Sequence, residues 1–79
     1  MELETQLRKE TEKWLVRIEE KKVKIINKRG KEILENINAY IKDCKHFLKK
    51  KDLIRAFEAI VWAWAWLEIS KELNILNFD

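Results

Sequence analysis

One stretch limits the possible folds more than any other: residues 52–73, DLIRAFEAIVWAWAWLEISKEL, with an unbroken apolar run from Ala59 to Leu67. At about 100° per residue it sorts into three helical stripes. Leu53, Phe57, Ile60, Trp64 and Leu67 make a stripe wide enough for a core. Ala56, Ala59, Ala63 and Ser70 make a small-residue flank that another backbone can approach. Trp62, Trp66, Ile69 and Leu73 lie roughly opposite the first stripe. A helix apolar nearly all round is either central or has two interfaces. The alternation of Ala and Trp from Trp62 to Trp66 also suits a strand. The length of the segment and its Glu, Lys, Leu and Ala content decide for helix.

The remaining chain offers little turn chemistry. It holds no proline and one glycine in 79 residues, and 39% of them are charged. That excludes an all-β fold. A hydrophobic content of 47% is ample for a folded core and excludes a disordered chain. Residues 2–24 read as a first helix. Leu3, Leu7, Trp14, Ile18 and Ile25 share one face, with Thr11 filling the gap between Leu7 and Trp14, while Leu15 and Val16 widen the stripe or stay partly exposed. INKRG, residues 26–30, is the first turn. Either Asn27 caps the second helix with Gly30 in its first turn, or Gly30 ends the first helix in a left-handed conformation. The stripe ends at Ile25 and Ile26, which favours the capping role for Asn27.

Residues 28–50 read as the second helix and carry the cleanest pattern. Ile33, Ile37, Tyr40, Cys44 and Phe47 form one line, broadened by Leu34, Ile41 and Leu48. Asp52 is placed to cap the third helix, residues 52–73. Asn74 can take the left-handed capping conformation, with Ile75 folding back on the last turn. Short turns between consecutive helices imply antiparallel neighbours. The expected fold is therefore all-α, one domain, an antiparallel up-down-up three-helix bundle without strands. Phe47, Phe57 and Trp64 are expected in one core with Ile37, Tyr40 and Cys44. On that reading Phe57→Ala costs about 3–5 kcal/mol.

Charge is unevenly divided. Residues 1–20 carry net −2, residues 21–51 net +8 and residues 52–79 net −3. A basic middle helix between two acidic ones is largely self-complementary. The lysines of the second helix offer an alternative role in nucleic-acid association, but Lys21 to Lys31 and Lys42 to Lys51 lie towards opposite ends. A groove binder needs one continuous basic face.

Chemistry is sparse. A single His46 and a single Cys44 cannot supply the three or four ligands of a zinc site. His46 lies opposite the core line and reads as a surface residue. Cys44 reads as a buried, inert thiol that suits a reducing cytoplasm. Ser70, the one serine, has no base at a recognisable spacing, and no glycine-rich phosphate loop is present. Neither an enzyme nor a cofactor or metal site is expected. The N-terminal MELETQLRKE is too charged for a signal peptide. The run from Ala59 to Leu67 is about half of what a membrane span needs, so no membrane partner is expected.

From Tyr40 to Ile75 the chain resembles the archaeal domain-of-unknown-function 357 family. The matching residues are Tyr40, Asp43, Phe47, Leu48, Asp52, Ala56, Phe57, Ala63 and Leu67, and the register extends over the first helix and Gly30. The resemblance implies a short three-helix bundle and no established activity. The departures are Lys51 and Ala65 where the family favours glycine, Trp62 for tyrosine, Glu68 for aspartate and Asn74 for glycine. The same hairpin also resembles one tetratricopeptide unit, through Asp52, Leu53, Ala56 and Ala63. No second copy follows, so this likeness reads as packing convergence.

The stripe left over is Trp62, Trp66, Ile69 and Leu73. Two tryptophans beside two aliphatics are a large apolar patch for a small soluble monomer. The reading is a non-enzymatic interaction or assembly module whose partner is itself, a homodimer about this face, or another protein. In the alternative the first helix wraps further round, or residues 74–79 fold over the patch with Phe78 as lid.

Overall fold

The computed structural model describes residues 2–79. Three helices dominate it: α1 (Glu2–Glu19), α2 (Gly30–Lys49) and α3 (Leu53–Glu72). Two short strands, β1 (Lys24–Ile25) and β2 (Leu76–Asn77), pair antiparallel, Lys24 with Asn77 and Ile25 with Leu76. The expectation of a strand-free chain is therefore corrected, and so is the extent of the first helix. It stops at Glu19, not near residue 24. Val23, Ile25 and Ile26 are β-branched residues with weak helix preference. Here the C-terminal segment offers Ile25 and Ile26 a pairing partner, and local periodicity carries no trace of a partner fifty residues away.

The core is centred on α3. Ala56, Ile60, Ala63 and Leu67 are fully buried, and Ser70 nearly so. The small-residue flank is thus the deepest part of the helix, because it lets α2 approach closely. Ile37 and Cys44 of α2 meet it, with Ile33, Leu34, Tyr40, Ile41, Phe47 and Leu48 packed around them. All eight residues of the α2 pattern face the core. Tyr40 stacks on Trp62, and the Arg55 guanidinium lies over the Phe47 ring.

Helix α1 docks against the other side of α3. Trp14 and Trp64 meet edge to face at 5.6 Å, and the Trp64 indole N–H donates to the Trp14 carbonyl at 3.0 Å. Thr11, Leu15 and Ile18 are the buried residues of α1. The Thr11 hydroxyl is satisfied locally, donating to the Leu7 carbonyl at 2.7 Å. Leu3 and Ile25, placed on this stripe by spacing, are exposed. Phe57 and Trp64 are only half-buried, so the expected full burial of Phe57 is corrected too.

The ends of α2 and α3 both use left-handed backbone. At the end of α2, Lys51 has φ 61°, its N–H donates to Leu48 O, and the Asp52 N–H donates to Phe47 O. At the end of α3, Asn74 has φ 57°, its N–H donates to Lys71 O, and the Ile75 N–H donates to Ser70 O. These are two Schellman caps. Asp52 then caps α3, its carboxylate accepting from the Arg55 N–H at 3.2 Å. At the start of α2, Asn27 accepts from the Arg29 N–H through its side chain and from the Gly30 N–H through its carbonyl. The residue at the cap position is Arg29, without a side-chain cap, so the capping role expected of Asn27 is corrected to closing the turn before it. Gly30 sits in the first turn, and α2 begins two residues later than expected.

A lysine in left-handed backbone is strained by about 1 kcal/mol relative to glycine. Lys51→Gly is therefore expected to stabilise the fold by up to about that amount. Urea midpoints at constant slope will show it, and a clear loss of stability would contradict the strain argument.

Candidate functional site

The i, i+4, i+7, i+11 spacing places Trp62, Trp66, Ile69 and Leu73 on one face of α3. All four are exposed, by 54%, 38%, 46% and 63%. Trp62 lies nearly parallel to Tyr40, with centroids 6.5 Å apart, so α2 supports it from the side. Val61 and Ile54 of α3 are exposed as well. They fall outside the four-residue stripe and lengthen the apolar surface towards α1. Ile26 is a further addition. Its N–H donates to Ile75 O at 2.9 Å, and the Asn27 side-chain amide reaches Asn74 O at 3.5 Å. The turn before α2 is thereby pinned beside the segment that follows α3, with Ile26 exposed. Spacing along α3 has no signal for a residue delivered by the strand ladder.

The tail does not cover this face. Ile75 and Leu76 are buried, Leu76 in the ladder with β1. Phe78 lies against the ammonium groups of Lys71 at 4.5 Å and Lys21 at 5.7 Å. The Lys21 ammonium donates to the Asp79 carbonyl at 2.7 Å. Asp79 borders a depression shared with Trp14 and Trp64, on the α1 side of α3. Phe78 as a lid over Trp62 and Trp66 is therefore corrected.

The groups with chemical potential are dispersed. His46 is exposed, its ring edge against Phe47. Ser70 is buried with its hydroxyl unpartnered among the described residues. Cys44 is fully buried, and burial pushes its thiol from an ordinary value near 9.0 up to about 11, with Glu19 adding to the rise and Lys45 opposing it. Such a thiol is no nucleophile at neutral pH. Among the described residues no group of three or more His, Cys, Asp and Glu could hold a metal ion, and no helix is long and apolar enough to cross a membrane.

The raised thiol has a pH consequence of definite sign. The native state holds this proton more tightly than the unfolded chain. Its contribution to stability is therefore complete below about pH 9 and is lost as pH rises towards 11. Urea unfolding of the wild type should weaken more steeply across that window than unfolding of Cys44→Ala. Parallel curves would place the thiol in a wetter site.

One apolar groove opens between α1 and α3, about 220 Å3 in volume and lined by Trp14, Phe57, Ile60, Val61 and Trp64. Lys13 and Arg17 lie over the Trp14 ring at its edge. No set of polar groups converges inside it.

The family model described as "protein of unknown function (DUF357)" matches residues 5–76. The chain belongs to the DUF357 family. It is also similar to the crystal structure of an Archaeoglobus fulgidus protein of the DUF357 family, at 48% identity and a TM-score of 0.83, over 98% of this chain and 99% of that one. No curated protein matches. DUF357 membership bears on the two caps. Lys51 and Asn74, two positions where the resemblance read from the sequence expects glycine, are the two non-glycine residues with positive φ among the described residues. The backbone shape survives here without the residue that adopts it most easily.

Proposed function

We propose that this DUF357 protein is a non-enzymatic assembly module that pairs with a second copy of itself through the outer face of α3. The observation that carries the reading is the exposure of Trp62, Trp66, Ile69 and Leu73 together on one helix face. Surface area supports it. The chain exposes 5991 Å2 and extends 44 × 19 × 16 Å. A compact monomer of 9.6 kDa exposes about 5,100 Å2. The excess of about 900 Å2 is what an elongated bundle exposes, and a second chain packed along it would withdraw part of that surface. Tryptophan is also a frequent anchor at such contacts.

The module is read as an antiparallel up-down-up bundle. Tyr40 meets Trp62 and Phe47 meets Arg55, so partners on α2 and α3 move in opposite directions along the chain. Trp14 meets Trp64, and Leu3 and Leu7 share a depression with Leu53 and Ile54, so α1 and α3 advance together. A non-enzymatic role fits the sealed thiol of Cys44 and the core position of Ser70. The free, buried Cys44 also suits the reducing cytoplasm.

The test is the sedimentation mass of the wild type and of Trp66→Glu. The expected result is a wild-type dimer and a monomeric variant with unchanged helical circular dichroism. A monomeric wild type would remove the interface, and a dimer indifferent to Trp66→Glu would exclude this face.

A further inference from the structure

Residues 21–31, KKVKIINKRGK, carry six cations and no carboxylate. Folding brings them to one end of the 44 Å molecule, because the segment is fixed at several points. Lys24 and Ile25 pair with Asn77 and Leu76, Ile26 is tied to Ile75, and Asn27 is tied to Asn74. Lys21 is occupied by the Asp79 carbonyl and the Phe78 ring. Lys22, Lys24, Lys28, Arg29 and Lys31 are exposed, and none has an ion-pair partner among the described residues. Residues 42–51, at the other end of α2, carry five cations but also Asp43. Lys45 there is paired with Glu19 of α1, while Lys42, Lys49, Lys50 and Lys51 are exposed. The basic face of α2 is thus divided by the fold, and its densest run of cations, the one without a carboxylate, is in the pinned turn.

We infer that this basic end binds the phosphate backbone of a nucleic acid, independently of sequence. Five unpaired cations held at fixed positions repel one another in the free protein, and counterion release from a polyanion relieves that at low salt. The end measures 19 × 16 Å across. Duplex of that length carries about eleven phosphates, more than five cations require. Residues 21–31 hold no aromatic ring, and the neighbouring Phe78 ring is half-buried against the Lys21 and Lys71 ammonium groups, which leaves backbone contact as the mode of recognition. An anionic membrane surface fits less well. Ile25 and Ile26 are half-exposed beside the cations, but they stand on a short strand and turn and not on an amphipathic helix with the broad apolar face that lies in a membrane interface.

The test is fluorescence anisotropy with a short labelled duplex across 50–200 mM salt. Five phosphate contacts give a log–log slope of about −4.5, roughly a 500-fold loss of affinity over that range. Lys24→Ala/Lys28→Ala/Arg29→Ala should reduce the slope to about −1.8, and each single substitution should reduce it by about 0.9. Lys42→Ala/Lys49→Ala, on the remainder of α2, should leave it unchanged. The single variants decide the matter if the triple variant loses helical circular dichroism. A wild-type slope shallower than −1, a loss that follows the Lys42/Lys49 control, or binding only to phosphatidylserine vesicles would each overturn the inference. Trp66→Glu, which tests self-association, should retain the slope per chain.

Discussion

Leu67→Ala should cost about 3–4 kcal/mol, more than Phe57→Ala although phenylalanine is the larger side chain. Leu67 is fully buried in the core cluster that holds Ile18 of α1 and Ile37 of α2, with Leu34 and Ile41 packed against that cluster. All three helices meet in this cluster, so no single one can move inward to fill the space left by truncation. Phe57 is half-buried and lines the open groove beside Trp14 and Trp64. Water can enter where its ring is removed, and much of its surface is not withdrawn from solvent in the first place. Its truncation should cost about 1–2 kcal/mol on area grounds. A domain of this size has a total stability of about 4–12 kcal/mol, so Leu67→Ala removes a large share of it. The melting temperature should fall by about 12–25 °C. Thermal and urea unfolding of both variants give the comparison. A larger loss for Phe57→Ala would mean that the groove is closed in solution, whether by rearrangement of α1 or by a second chain.

That contrast marks how far the sequence could be read. The α2 pattern was fully legible, because one face of a helix between two partners writes a single stripe. Asp52 as cap and Asn74 with Ile75 as stop were legible for the same reason, since capping chemistry is local. On α3 the stripes were visible but their ranking was not. Spacing shows that Phe57 and Ala56 lie on neighbouring faces and does not show which face meets the closest helix. The small residues proved deepest because they permit that approach. The four residues of the outer face were legible by subtraction, as apolar positions with no helix left to cover them. What remained hidden was the β1–β2 ladder. Its two halves stand fifty residues apart and each is two residues long, too short to write a period. With it went the end of α1, the direction of the tail and the pinning of the basic turn.

Gly30→Ala is expected to destabilise the protein by about 1–2 kcal/mol, against the usual preference for alanine in a helix. Gly30 opens α2 with ordinary negative φ, so the requirement is for space and not for conformational freedom. A Cβ there would stand 2.6 Å from Ile25 Cγ2, 3.0 Å from the Ile75 carbonyl oxygen and 3.2 Å from Leu76 Cδ2. The Ile75 carbonyl cannot retreat freely, because it accepts from the Ile26 N–H at 2.9 Å. Leu76 is buried and held in the ladder. The first neighbour to give way is Ile25, whose side chain is half-exposed. The variant should therefore lose the ladder before it loses the helices. Amide exchange at Ile26 and Leu76 should accelerate more than exchange within α3, where opening requires global unfolding. A double variant separates the clash from a general weakening of the turn. Ile25→Ala removes the nearest atom, so Gly30→Ala should cost less in the Ile25→Ala background than alone, a positive coupling between neighbours. Additive losses would show that the strain falls on the Ile75 carbonyl instead, and a stabilised Gly30→Ala would show that the ladder is not held against α2 at all.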